Sequence, residues 1–150
     1  MFQIIQNFSF MKTTVIAEAG VNHNGKINLA LRLVDCAAKA KADYVKFQTY
    51  SSDHLVQKKL KLAKYQKKNL KKFRFQYQML KKYELSIEDH KKIIKRCKMK
   101  KIKFLSSPFD LESINLLKKL KLKIFKIPSG EITNIPYLKK IAKLKKKIIL

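Results

Sequence analysis

Short apolar runs alternate with longer helical patterns along this chain of 150 residues. Five runs have the length and composition of β-strands: 13–18, 43–48, 102–107, 123–129 and 146–150. Apolar residues recur at helical spacing over four longer segments: 28–41, 86–100, 110–120 and 135–144. The order is therefore β-α-β-α-β-α-β-α-β, which is typical of parallel strands joined by crossover helices.

Details within the helical segments sharpen this prediction. The first helix is expected to bury one stripe, made of Leu29, Leu33, Cys36, Ala37 and Ala40. Capping signals mark the starts of the later helices: Ser86 with Asp89, Asp110, and Pro136 in a first turn. Residues 49–85 form a lysine-rich connection with helical stretches. Lysine stands after the helices where glycine is favoured, as in "KMKKIKF" and "KLKKKIIL", which predicts a cost in stability.

Two architectures fit the alternation, an open doubly wound sheet and a (β/α)8 TIM barrel. The glycine-rich fingerprints of dinucleotide and nucleotide sites are absent. Polar groups stand at the carboxyl ends of four strands: Glu18, Lys46 with Gln48, Ser106 with Ser107, and Lys126 with Ser129 and Glu131. A barrel would bring these ends together on one rim, whereas an open sheet would spread them along a line. The pattern therefore favours the barrel.

Length limits how much of a barrel is present. A complete barrel takes roughly 250 residues, and this sequence stops inside a fifth strand. We interpret residues 12–150 as a partial TIM-barrel domain of about four and a half βα units, from a truncated protein or a broken reading frame. Residues 1–11 are predicted to be an N-terminal extension outside the fold.

Charge is the most unusual property of the composition, at +26 from 36 Lys and Arg against 10 Asp and Glu. Only three of the basic residues are Arg, the residue best suited to phosphates and guanine. The lysines are spread over several helices, which favours a solvated coat and no nucleic-acid partner. A basic module that binds nucleic acid or another polyanion, and a gene fragment without function, remain as alternatives.

Cysteine usage and hydropathy bear on location. Cys36 and Cys97 lie in predicted helices without a CxxC pair, so we expect buried, reduced thiols in a cytoplasmic protein. No apolar run approaches the roughly 20 residues of a membrane-spanning helix, and we expect no membrane partner.

Alternation of side chains along the strands suggests an anion site. Glu18, Lys46 and Lys126 can all point into the mouth of a barrel. Two converging ammonium groups would suit a small, multiply charged anion such as a phosphorylated carboxylate. Ser129 would add a hydrogen-bond donor and Glu131 a second acidic group. For a single lysine in a strand, the alternative is an edge residue whose head reaches solvent.

Five motifs occur in a fixed order: "IAEAGVNHNG", "DYVKFQTY", "AKYQKKN", "LSSPFD" and "FKIPSGEITNIPYLKKIA". Together, over about residues 12–150, they resemble the N-terminal half of the sialic acid synthase family, which includes the N-acetylneuraminate and legionaminate synthases. The resemblance implies a TIM barrel followed by a small antifreeze-like domain. It also implies condensation of phosphoenolpyruvate with N-acetylmannosamine or a related 2-acetamido sugar, with release of phosphate, by a cytoplasmic homodimer.

The same resemblance assigns roles to individual residues. Lys46, Lys126 and Ser129 match contacts to phosphoenolpyruvate. Glu18 matches the carboxylate beside the reacting carbons and is the expected catalytic residue, and Glu131 matches a residue that holds the sugar hydroxyls. Supporting roles are expected for Gln48, Asn22, His23 and Ser107.

A divalent metal, Mn²⁺ or Mg²⁺, is also implied. Its two histidine ligands belong to the second half of the family's barrel, so no metal ligand is expected in this chain. His23, His54 and His90 have no metal-ligand spacing among themselves. We expect His23 to order the turn after the first strand and His90 to lie on a helix surface. We expect the 150-residue chain to be inactive alone.

Overall fold

The computed structural model describes residues 13–63 and 73–150. Five parallel strands alternate with helices in these ranges, as the apolar pattern predicts. The strands are β1 (Ile16–Gly20), β2 (Tyr44–Thr49), β3 (Lys103–Pro108), β4 (Ile124–Lys126) and β5 (Lys147–Ile149). The helices are α1 (Ile27–Lys39), α2 (Ser52–Leu55), α3 (Gln76–Tyr83), α4 (Ile87–Met99), α5 (Leu111–Lys119) and α6 (Ile135–Ala142). The predicted extension 1–11 and most of "AKYQKKN" lie outside the described residues.

The described strands form two groups. β1, β2 and β3 make one three-stranded sheet, and β4 pairs with β5. β4 lies beside β3, but the described ladders do not join them. The parallel α/β class is thus confirmed, while closure into a barrel stays a prediction. β4 is also shorter than the predicted 123–129, because Pro128 cannot donate to a ladder and Ser129–Glu131 turn into a 3-10 helix.

Two apolar clusters hold the helices against the strands. The first joins β1 and β2 to α1 and α4 through Ala30, Val34, Phe47 and Ile93, which are all fully buried. The second joins β4 to α5 and α6 through buried residues that include Phe125, Leu117 and Tyr137. The Tyr137 hydroxyl donates to the Pro108 carbonyl oxygen at 2.7 Å and so ties α6 to the end of β3.

The buried stripe of α1 differs from the sequence-based expectation. Ala30, Val34 and Ala37 are buried, whereas Ala40 is exposed. Cys36, expected to be a buried thiol, is also exposed. Small side chains face the sheet because they allow close approach, and Leu29 and Leu33 cover the flank half-buried. The other thiol meets expectation: Cys97 is buried, and burial raises its pKa to about 12.

Helix starts follow their capping signals. In the box at α4, the Asp89 N–H donates to Ser86 Oγ at 3.0 Å, and the Ser86 N–H donates to Asp89 Oδ2 at 3.1 Å. At α5, Asp110 Oδ1 accepts the Ser113 N–H at 2.7 Å. Asp110 Oδ2 also accepts the Ser51 N–H at 2.8 Å. This one carboxylate therefore fixes α5 to the loop that follows β2.

Helix ends carry lysine in the left-handed conformation. Lys41, Lys101, Lys121 and Lys145 have φ angles of 59°, 56°, 62° and 49°. The first three stand at the C′ position of Schellman motifs; after α4, for example, the Ile102 N–H donates to the Cys97 carbonyl at 3.1 Å. Glycine takes this conformation without strain, and lysine does not. Lysine therefore takes a strained backbone conformation at four helix ends where glycine would be favoured, as the sequence predicts.

Within the described ranges, no helix has the length and apolar character needed to cross a membrane.

Candidate functional site

Glu18 and Lys46 are the centre of the candidate site. They are register partners in the β1–β2 ladder, so their side chains leave the sheet on the same face. Lys46 Nζ forms an ion pair with Glu18 Oε2. The Lys46 side chain is only 16% exposed, whereas that of Glu18 is 52% exposed. The ammonium is thus sheltered and the carboxylate is open to solvent, on a surface that a small ligand can reach.

The end of β1 is shaped to leave room at this pair. The β1–β2 register shifts between Glu18 and Gly20, so Ala19 is the extra residue of a bulge. Gly20 has a φ of +51°, and a Cβ placed there would lie 3.2 Å from Glu18 Oε1 and 3.8 Å from Gln48 Nε2. Glycine at position 20 therefore keeps the space between the Glu18 and Gln48 side chains clear.

β3 contributes only one of its two serines to this face. Gln48 and Ser107 are register partners, two residues beyond Lys46 and its partner Leu105. Ser106 is partnered with Phe47 and points to the helix-covered side. Its hydroxyl lies 2.7 Å from Thr49 Oγ1. The sequence places both serines at the rim, and the structure separates them because neighbouring strand residues face opposite ways.

His90 lies behind the sheet, not on a helix surface as expected from the sequence. It is 1% exposed, and its Nδ1 is 2.8 Å from the Ser86 carbonyl oxygen. Since a carbonyl can only accept, Nδ1 carries the proton and Nε2 accepts the Thr49 hydroxyl at 2.9 Å. The Ser106 hydroxyl then donates to Thr49. Burial lowers the pKa of His90, so this directed chain joins the carboxyl ends of β2 and β3 around a neutral ring.

His23 has the role expected from the sequence. Its Nδ1 accepts the Gly25 N–H at 3.1 Å and so orders the turn after β1. The ring is fully buried beside Phe47, and Nε2 has no hydrogen-bond partner among the described residues. Burial, followed by the nearby His90, lowers the pKa of His23. The side chain therefore supports the turn from behind, while Asn22 in the same turn is exposed.

Lys126, Ser129 and Glu131 follow one another at the end of β4. Lys126 is half-buried, and its Nζ donates to the Ile127 carbonyl at 2.6 Å. Ser129 is exposed, and Glu131 Oε2 accepts from Asn134 Nδ2 at 2.6 Å. No described contact joins Lys126 to Lys46, so their convergence on one anion stays a prediction.

A cavity of about 400 Å³ lies among the loops after β2, β3 and β4. Glu131 lines it, together with residues that the sequence-based reasoning did not select: His54, Glu112 and Asn134. The available signal for Asn134 was the sequence "TNIP", an N-cap before a proline, and its Oδ1 does accept the Tyr137 N–H at 3.2 Å. This cavity is consistent with a polar ligand at the carboxyl ends of the strands.

The described residues offer no metal site of their own. In the ranges 13–63 and 73–150, no three His, Cys, Asp or Glu side chains form a group that could hold a metal ion. These residues therefore do not fit the implied Mn²⁺ or Mg²⁺ by themselves.

Comparison with known proteins gives consistent matches. The family model described as "NeuB family" matches residues 33–150. The N,N'-diacetyllegionaminic acid synthase of Campylobacter jejuni is 58% identical over 139 residues, which cover 93% of this chain and 42% of that protein. The synthase of the same name from Legionella pneumophila is 49% identical, over 95% of this chain and 40% of its own length. The chain thus spans less than half the length of these relatives.

A solved structure agrees with the sequence matches. The N-acetylneuraminic acid synthetase of Leptospira borgpetersenii, crystallised with citrate, superimposes with a TM-score of 0.72 at 34% identity. The match covers 92% of this chain and 44% of that one. Since the family model covers most of the chain and the motif-bearing strands fold as in a solved synthase, this chain belongs to the NeuB family.

Proposed function

We propose that this chain is the amino-terminal part of a sialic-acid-type synthase barrel. The whole protein would condense phosphoenolpyruvate with N-acetylmannosamine or a diacetamido-trideoxy hexose, and would release phosphate. The Glu18–Lys46 pair is the observation that carries the proposal, since it sets a sheltered cation beside an exposed carboxylate on one face of the sheet. Relatives named as legionaminic acid synthases support the reaction class.

Lys46 would bind the anionic end of phosphoenolpyruvate. Its ammonium already has a carboxylate partner, so an incoming phosphate or carboxylate would compete with Glu18 for the same charge. Binding would then free Glu18 to accept a proton from the attacking water. The cleared space at Gly20 would leave room for that water and the reacting carbons.

The end of β4 would complete the substrate contacts. Lys126 and Ser129 would hold the same anion from the other side, and Glu131 would bind sugar hydroxyls from the wall of the 400 Å³ cavity. Gln48 and Ser107 would line the face between these groups. A divalent metal, Mn²⁺ or Mg²⁺, would be held by residues outside this chain. A cytoplasmic homodimer is the expected form of the whole protein.

A chimera tests these assignments. Residues 13–150 would replace the matching part of the Campylobacter jejuni synthase, which is 58% identical to this chain over 139 residues. We expect phosphate release from phosphoenolpyruvate and the acetamido sugar in the presence of Mn²⁺. Lys46→Met should weaken apparent affinity for phosphoenolpyruvate by roughly 2–4 kcal/mol, the cost of losing a charge-assisted contact in a closed site.

Lys95→Met is the matched control, because Lys95 is an exposed lysine on α4. It should leave the affinity unchanged. An unchanged affinity in Lys46→Met would refute the anion-binding role of Lys46. The 150-residue chain alone is expected to release no phosphate above background, and turnover by the purified chain would contradict that expectation.

A further inference from the structure

A large groove lies at the other end of the strands, away from Glu18 and Lys46. It has a volume of about 910 Å³ and is bounded by the amino ends of β2 to β5 and by the segments that precede them. Seven lysines line it: Lys98, Lys103, Lys121, Lys123 and the run 145–147. We call this the basic groove. The proposed synthase function does not use it.

Within residues 13–63 and 73–150, no carboxylate pairs with the lysines of the basic groove. No Asp or Glu lines it, and none of its seven lysines forms an ion pair with the described carboxylates. Lys103 instead lies over the Tyr44 ring at 5.2 Å. The carboxyl ends of α4, α5 and α6 contribute only about half a negative charge each. A strongly positive potential therefore remains, which favours an anionic occupant.

The floor of the groove is apolar. It is formed by Ile94, Ile102, Phe104, Leu122 and Ile124. Four strands border the groove. The paired strands β2–β3 and β4–β5 are each about 4.8 Å apart, and β3 and β4, which share no ladder, are at least as far apart, so the groove extends over at least roughly 15 Å. An extended peptide of four or five residues has that length, at about 3.3 Å per residue.

These features together select one kind of occupant. We propose that the basic groove binds an extended acidic segment of another protein, in which apolar and carboxylate side chains alternate. In an extended chain, successive side chains point to opposite sides. The apolar side chains of the peptide would cover Ile102 and Leu122 on the floor, while its carboxylates would face the lysines on the rim.

Other anionic partners fit less well. A nucleic-acid backbone has no apolar side chains for the floor, and no arginine lines the groove. A bilayer surface would meet the rim but would not reach into a concave floor. Charge complementarity and the apolar floor thus favour a peptide.

Fluorescence anisotropy on the 150-residue chain tests the proposal. The probe is a labelled nine-residue peptide of alternating Glu and Leu, in about 0.15 M salt, where long-range charge effects are screened beyond ~8 Å. A Glu–Ser peptide of the same charge is the peptide control. We expect the Glu–Leu peptide to bind at least ~10-fold more tightly, because each buried leucine adds a hydrophobic contribution.

Charge reversal locates the site. The double variant Lys121→Glu/Lys145→Glu changes two rim residues, and Lys41→Glu/Lys101→Glu changes two lysines that do not line the groove. All four residues have positive φ, so both variants keep the same backbone strain and lose the same net charge. We expect the rim variant to weaken binding at least ~10-fold and the control less than ~3-fold.

Three outcomes would overturn the proposal. Equal losses in the two double variants would mean that net charge alone attracts the peptide. Equal binding of the Glu–Leu and Glu–Ser peptides would show that the floor is not occupied. Tighter, rim-dependent binding of a single-stranded RNA of the same charge would assign the groove to nucleic acid.

Discussion

Replacing the left-handed lysines by glycine should stabilise this fold. Lys41, Lys101, Lys121 and Lys145 all have φ between 49° and 62°, a conformation that costs a residue with a Cβ about 1–2 kcal/mol. Glycine loses more backbone entropy on folding, which offsets about 0.5–1 kcal/mol of that gain. Each Lys→Gly change should therefore raise the free energy of unfolding by about 0.5–1 kcal/mol. The fourfold variant should gain about 2–4 kcal/mol, since well-separated sites add.

Loss of charge must be separated from relief of backbone strain, because the chain carries a net charge of +26 and any lost lysine reduces repulsion. Lys→Ala at the same four positions removes the ammonium but keeps the Cβ, so it should gain only a small part of the stabilisation. Lys95→Gly is the second control. This exposed lysine lies inside α4, where glycine should cost about 1 kcal/mol.

Urea unfolding followed by circular dichroism provides the measurement, with thermal scans as a check. For a chain of about 150 residues, 1 kcal/mol corresponds to roughly 2–4 °C in Tm. If the alanine series stabilises the chain as much as the glycine series, charge repulsion is the cause and the strain argument is wrong. If neither series changes the midpoint, the helix ends do not limit stability.

Three further outcomes are expected from the buried groups and the turn after β1. Burial lowers the pKa of both His23 and His90, so the unfolded chain binds more protons than the folded chain below about pH 6.5. The contribution of the two neutral rings to the free energy of unfolding should be fully present above that pH. Below it, the free energy of unfolding should fall by up to about 1.4 kcal/mol per pH unit for each histidine. Unfolding curves from pH 7.5 to 5 measure this slope, and a His23→Asn/His90→Gln variant with the same slope would contradict it. Thr49→Val should lower the free energy of unfolding by about 1–3 kcal/mol, because His90 Nε2 and the Ser106 hydroxyl lose their shared partner. Thr49→Ser keeps the hydroxyl and should lose much less in urea unfolding. Equal losses in the two variants would indicate a packing effect instead. Gly25→Ala should prevent stable folding, because a Cβ at φ +72° would collide with the Lys82 carbonyl oxygen. Gly130→Ala, where no atom of the described residues lies within 4 Å of the added Cβ, should be neutral within about 0.5 kcal/mol in thermal scans.

Periodicity gives the order of the elements correctly, and it places Glu18 and Lys46 on one face of the sheet. The alternation in β1 and β2 predicts that Glu18 and Lys46 share a face, and the structure pairs them. Capping residues likewise mark the starts of α4 and α5 correctly. These features depend on neighbours in sequence, so local pattern is sufficient to find them.

The differences arise where a distant partner decides. The sequence predicts His90 on a helix surface, yet it shares a buried stripe with Ile93 and Cys97. Contacts with Ser86 and Thr49 give both ring nitrogens a partner in this buried position. The stripe of α1 moves to Ala30 and Val34 because the sheet selects small side chains. Ladder formation between β3 and β4 also depends on long-range geometry, which no local pattern specifies.

The fold can be stabilised without altering the candidate site, because the required glycines and the strained lysines lie at opposite ends of the strands. Gly20 and Gly25, both with positive φ, flank the turn after β1, where a Cβ would meet Glu18 or Lys82. The four strained lysines follow α1, α4, α5 and α6 and precede β2 to β5, at the far ends of those strands. Backbone strain at the far ends can therefore be removed without a change in any residue near Glu18. A stabilised version built in this way would be a tolerant host for substitutions around the cavity of about 400 Å³ that Glu131 lines, because each such substitution draws on the same limited free energy of unfolding.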